Sequence, residues 1–126
     1  NRLPGANTPD LIYRCSGLNC YQENVRIFLN EYKPVPKKMT FKKHYCVSCL
    51  INDKPGVVRD YQGLDEVKKL SSFDSARILA DKNTYYPETT DLVSTWGLVF
   101  LIHENPEQLR KDAEFVHATM KLETLS

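Results

Sequence analysis

No stretch of this sequence is apolar for long enough to cross a bilayer. A spanning helix needs about 20 apolar residues, and the longest run here, Trp96–Ile102, is strand-sized. Charge of one sign is also missing: 17 Lys and Arg stand against 16 Asp and Glu, without the basic surplus of a nucleic-acid-binding surface. Neither membrane nor nucleic acid is therefore expected as a partner. The opening Asn1-Arg2-Leu3-Pro4-Gly5-Ala6 has no charged segment followed by an apolar one, so it is not a secretory leader. Because residue 1 is Asn rather than Met, a piece of a longer polypeptide is expected. Four cysteines, Cys15, Cys20, Cys46 and Cys49, are sparse for a disulfide-built secreted domain. They read as free thiols in a cytoplasmic protein. There is no internal repeat and no low-complexity tract.

What is present is enough apolar sequence, 41% of 126 residues, to bury one core. Thr8-Pro9-Asp10 has the order of a helix start, with Thr as N-cap, and Gly17 has the place of a left-handed C-terminal cap. A second helix restarts at Asn19, with Gln22 three residues on. It carries Tyr21, Val25, Phe28, Leu29 and Tyr32 as one helical stripe. Lys33-Pro34-Val35-Pro36-Lys37-Lys38 then breaks the helix, because prolines at alternate positions favour extended backbone.

The remainder reads as mainly β. His44–Ile51 alternates, with Tyr45, Val47, Cys49 and Ile51 on one face. The turn residues Asn52–Gly56 lead into a second strand over Val57–Tyr61. A short helix follows over Gly63–Leu70, then a strand over Ser72–Ala80. Asp81–Asp91 reads as a polar loop exposing Tyr85 and Tyr86. The most apolar strand, Ser94–His103, is expected to be covered on both faces. Asn105-Pro106-Glu107-Gln108 starts a last helix with Leu109, Ala113, Val116 and Met120 inward, and Lys121–Leu125 is either a closing strand or a frayed end. The expected fold is α+β: an N-terminal helix pair, then a small, mainly antiparallel four-stranded sheet with helices packed on one face. The division is residues 1–33 as a helical edge, 34–39 as a linker and 40–126 as a β-rich unit.

Several residues invite chemistry. Cys15-x4-Cys20 and Cys46-x2-Cys49 together could make a four-thiolate zinc site, but Cys46 and Cys49, three apart on a strand, point to opposite faces. His44 shares a strand face with Cys46, which alone is no catalytic dyad. His103 and His117 fall where solvent is expected. Asp65, Glu66 and Glu107 are acids at helix starts, favoured there by the macrodipole. Lys37, Lys38, Lys42 and Lys43 read as solvated charges, and Trp96 reads as core.

Two stretches resemble the ATP-grasp superfamily, and within it the C-terminal region of L-amino-acid-ligase-type enzymes. One is Asn1 to Ile12 followed by Cys15-Ser16-Gly17-Leu18-Asn19. It is similar to a Glu-x-Asn-x-Arg strand end, a small-residue pair and a broken helix. The other is Gly56-Val57-Val58, Gly63-Leu64-Asp65-Glu66-Val67, Trp96-Gly97-Leu98-Val99-Phe100 and Asn105-Pro106-Glu107-Gln108-Leu109, similar in order to a lid subdomain. The resemblance implies a carboxylate–amine ligase that forms an acyl phosphate from ATP, with Mg²⁺ in the full-length protein. It makes Arg2 a catalytic candidate, a bidentate donor to phosphate-like oxygens. It makes Gly5 and Ala6 substrate-binding candidates, small enough for backbone amides to approach an oxyanion.

This sequence departs from the pattern in one respect. Asn1 immediately precedes Arg2, where the metal-binding Asn lies two positions before it. The resemblance therefore implies that the metal ligands fall outside this chain, and that ATP and Mg²⁺ are not held by it alone. The implied partners are the rest of the catalytic domain, a small carboxylic acid and an amine or amino acid, with a homodimer also possible. The alternative is a small intracellular α+β binding module without catalysis.

Overall fold

The computed structural model describes residues 3–31, 33–34 and 38–125. The helix pair is α1 (Thr8–Ser16) and α2 (Cys20–Phe28), followed by β1 (His44–Leu50), β2 (Gly56–Gln62) and α3 (Leu64–Val67). Then come β3 (Phe73–Ile78), β4 (Tyr85–Tyr86), β5 (Gly97–His103), α4 (Pro106–Thr119) and β6 (Lys121–Leu125). No helix among the described residues is long and apolar enough to cross a membrane.

The α+β class is as expected, but the single four-stranded sheet is not. The strands form two antiparallel sheets of three, β1-β5-β3 and β4-β2-β6. Two strands with little apolar signal account for the difference. Lys121–Leu125 pairs along one edge of β2, and Tyr85–Tyr86 pairs along the other. β1 and β2 do not pair across the Asn52–Pro55 connection; β1 pairs with β5 instead, from His44↔His103 to Leu50↔Gly97. β5 is thereby central, with β3 on its far side.

Apolar alternation sets the layers. Val99 and Leu101 of β5 join Leu50, Leu109 and Val116 in the main core, with Cys46 packed against it, so α4 covers this face. Phe100 points the other way and is still only 3% exposed. That second face is covered by α1, which contacts β1 and buries Leu11 and Cys15 outside the main core cluster. Helices thus pack on both faces, not one. β1 turns its Cys46, Ser48 and Leu50 side to the α4 core, the reverse of the odd-numbered face expected from its apolar residues, and Ile51 is exposed. The sequence pattern misled because both faces are covered, and burial on two sides removes the contrast that alternation relies on.

Trp96 is fully buried and donates its Nε1–H to the Ile51 carbonyl. Thr95 Oγ1 donates to the Leu50 carbonyl. Asp112, buried within α4, accepts from Ser72 Oγ at 2.6 Å and from Gln108 Nε2 at 2.8 Å, which offsets the cost of burying its carboxylate. The caps follow the expected chemistry at Asn19, which accepts from the Gln22 amide, at Asn105, and at Gly17 with φ 79°. At α1 the cap is Asn7 rather than Thr8, and it makes no side-chain cap bond.

Gly63 joins β2 to α3 at φ +95°, and a Cβ there would run into the backbone carbonyl of Thr119 at the end of α4. Both the conformation and the close approach demand glycine. Gly63→Ala is expected to lower unfolding free energy by about 2 kcal/mol or more, measured as a shift in urea midpoint at unchanged slope.

Candidate functional site

The candidate edge from the sequence is Arg2, Gly5 and Ala6. Arg2 lies outside the described residues. Gly5 and Ala6 stand in the turn that feeds α1, where the Gly5 carbonyl accepts the Thr8 amide at 3.1 Å. Gly5 is exposed, and a Cβ built on it would meet nothing within 4 Å. Among the described residues, none stands close enough to require glycine there. Ala6 and Asn7 follow at φ 53° and 58°, two successive non-glycine residues in the left-handed region. Asn tolerates that region, but Ala has no compensating side-chain bond. Such strain collects at functional turns and persists only where the surroundings hold it.

What holds this turn in place is α1. Its Cys15 carbonyl accepts the Lys42 amide at 2.8 Å. Its Arg14 guanidinium grips Asp74 of β3 with two bonds, Nη1 to Oδ2 at 3.0 Å and Nη2 to Oδ1 at 2.6 Å. Asp10 lies 3.7 Å from Arg14 on the same helix. The Arg14 hydrogen bonds hold the Asp74 carboxyl below its ordinary value, and the guanidinium is raised in return. The pairing across 60 residues of chain gives no local signal, so sequence reading missed it. The one trace was an acid and a base one turn apart on α1.

The four cysteines are free thiols. Cys46 packs toward the α4 core, and Cys49, three residues on, is on the other face of β1. Burial pushes the Cys15 and Cys49 thiols up, away from the thiolate that binds metal or attacks substrate. Among the described residues no three His, Cys, Asp or Glu gather in a metal-holding arrangement. His44 is exposed opposite His103 on the neighbouring strand, and His103 Nδ1 accepts the Asn105 amide. His117 is exposed in the last turn of α4. Asp65, Glu66 and Glu107 occupy first helical turns, as expected. Lys38, Lys42 and Lys43 are exposed, and Lys37 is outside the described residues. Tyr85 is exposed, whereas Tyr86 is half-buried and donates its hydroxyl to the Thr95 carbonyl at 2.5 Å. Together they form β4 rather than a loop.

A second feature was not foreseen. Asn52 is buried and staples the long connection before β5: its Nδ2 donates to the Pro87 carbonyl and its amide to Thr89 Oγ1. Beyond that staple, the Asp91 carboxylate accepts from the Val93 and Ser94 amides, presenting Leu92 and Val93 to solvent.

With this geometry in view, two solved structures share the fold. L-amino acid ligase from Bacillus licheniformis superposes with a TM-score of 0.79 at 12% identity, over 99% of this chain and 31% of the ligase. Phosphoribosylglycinamide synthetase from Anaerococcus prevotii superposes with a TM-score of 0.71 at 11% identity, over 98% of this chain and 32% of the synthetase. No family model matches the chain, and no curated protein matches it in sequence. The chain therefore has the fold found in part of an L-amino acid ligase and of a phosphoribosylglycinamide synthetase. It spans about a third of the length of the proteins it matches.

Two predictions follow from the site. Asp74 has a depressed carboxyl, so the stability from its pairing is complete above its ordinary value near 3.8 and is lost as pH falls through the lower folded value. Asp74→Asn is expected to cost about 1 kcal/mol at pH 7, after allowance for the solvent around Arg14. It should cost progressively less as the medium is acidified below pH 4, which urea titrations at both pH values measure. Ala6→Gly is expected to raise unfolding free energy by about 0.5–1 kcal/mol by relieving the left-handed alanine, read as a higher melting temperature.

Proposed function

We propose that this chain is the C-terminal part of an ATP-dependent carboxylate–amine ligase. Its role is to supply the Arg2, Gly5 and Ala6 edge of the active site and a β-rich lid that packs over it. The observation that carries the reading is that nearly the whole chain superposes on about a third of an L-amino acid ligase. The open space around Gly5 and the strained Ala6–Asn7 turn support the edge assignment.

In the reaction, a carboxylate oxygen takes the terminal phosphoryl group of ATP, releasing ADP. An amine then displaces phosphate to form the amide. Charge accumulates on phosphoryl and acyl oxygens in both steps, and a fixed guanidinium with nearby backbone amides lowers its cost. Arg2 is the group assigned to that role, and Gly5 and Ala6 let the backbone approach. Among the described residues no three His, Cys, Asp or Glu gather where they could hold a metal ion, so no metal step is assigned to them. The protein acts in the cytoplasm, on a small carboxylic acid and an amine or amino acid.

The test uses the intact polypeptide that the gene encodes alongside this chain. Amine-dependent phosphate release from ATP is expected in the intact polypeptide and absent from this chain. Arg2→Ala in the intact polypeptide should lower kcat about 10²–10³-fold. Tight binding of ATP by this chain alone in calorimetry would overturn the reading, as would an intact polypeptide that releases no phosphate with any amino-acid pair.

A further inference from the structure

α2 faces the wrong way for a finished surface. A helix on a globular surface turns its apolar stripe inward and its charges outward. α4 does so, burying Leu109 and Val116 while Glu107, Arg110 and Glu114 meet solvent. α2 does the reverse. Tyr21, Val25, Phe28 and Leu29, at i, i+4, i+7 and i+8, all project into solvent, Phe28 at 75% exposure. The Glu23–Arg26 pair lies on the less exposed side, with the Glu23 side chain at 23%. No residue of α2 is buried. Tyr21, Val25 and Leu29 border a groove of about 560 Å³ with Arg26 and Glu31 at its edge. At nine residues α2 is also shorter than the ~12–15 residues an isolated helix needs to persist in water. It therefore depends on packing that its exposed stripe does not find within the described residues.

Resting on the ligase reading, we infer that this stripe is the docking face for the nucleotide-binding body of the ligase, a second folded unit meeting it with an apolar surface. Both solved ligase structures reproduce this fold over 98–99% of its length, helix pair included, alongside roughly twice as much further polypeptide. A second copy of this chain is the competing occupant. Four partly exposed side chains on one short helix cover on the order of 400 Å². A stable dimer needs about 800 Å² per partner. A contact within one polypeptide escapes that requirement, because the tether supplies a millimolar effective concentration. The Leu92–Val93 tip is a two-residue knob rather than a face, so it does not compete for this role.

Hydrogen–deuterium exchange over residues 20–29 tests the face, comparing this chain with the intact gene product, with light scattering on both. The expected result is a monomeric chain whose α2 amides exchange at least tenfold more slowly in the intact polypeptide. Phe28→Lys should leave the melting temperature of this chain unchanged and remove that protection. Equal exchange in an intact polypeptide that does form amide bonds overturns the docking face while leaving the ligase reading standing. An intact polypeptide without ligase activity overturns both. A dimer of this chain that Phe28→Lys dissociates overturns the inference in favour of the second copy.

Discussion

The burial of β5 on both faces is the constraint from which the rest of the arrangement follows. Val99 and Leu101 need cover on one side and Phe100 on the other, so one helix on one face cannot suffice. α4 answers the first demand and α1 the second. β1 and β3 then flank β5 as its hydrogen-bonding neighbours. Gly97 lets Leu50 and the Arg77 carbonyl close in at the start of the strand.

The candidate edge inherits its position from this packing. The Gly5–Asn7 turn leads directly into α1, and α1 is held by its buried Leu11 and Cys15, by the Cys15 carbonyl and by the Arg14–Asp74 fork. A bidentate pair fixes orientation as well as proximity. A strained turn on a tethered helix can hold a geometry that a free terminus would average away. The core thus bears on the functional reading through one helix, which joins the folded body to the turn.

The two sides of that helix pair have opposite characters. α1 is absorbed into the sheet, while α2 presents aromatic and aliphatic side chains outward and keeps a charged pair nearer the protein. The β-rich part closes its core, whereas α2 leaves its apolar stripe exposed. The solved ligases, three times its length, have the same fold within them.

Much of this was legible from residue order. Asn19, Asn105 and Gly17 marked helix ends because capping is a local hydrogen-bonding problem, solved within three or four residues. The β5 strand was legible because a run such as Leu98–Ile102 is stable only under cover on both sides. The stripe on α2 was legible as a stripe, but its direction was not, since periodicity says which residues share a face and not what that face meets. The division of strands into two sheets, the face of β1 that turns inward and the reach of Arg14 to Asp74 were decided only by tertiary structure. Each depends on which distant segments meet, and pairing energies between segments far apart in the chain leave no local pattern to read.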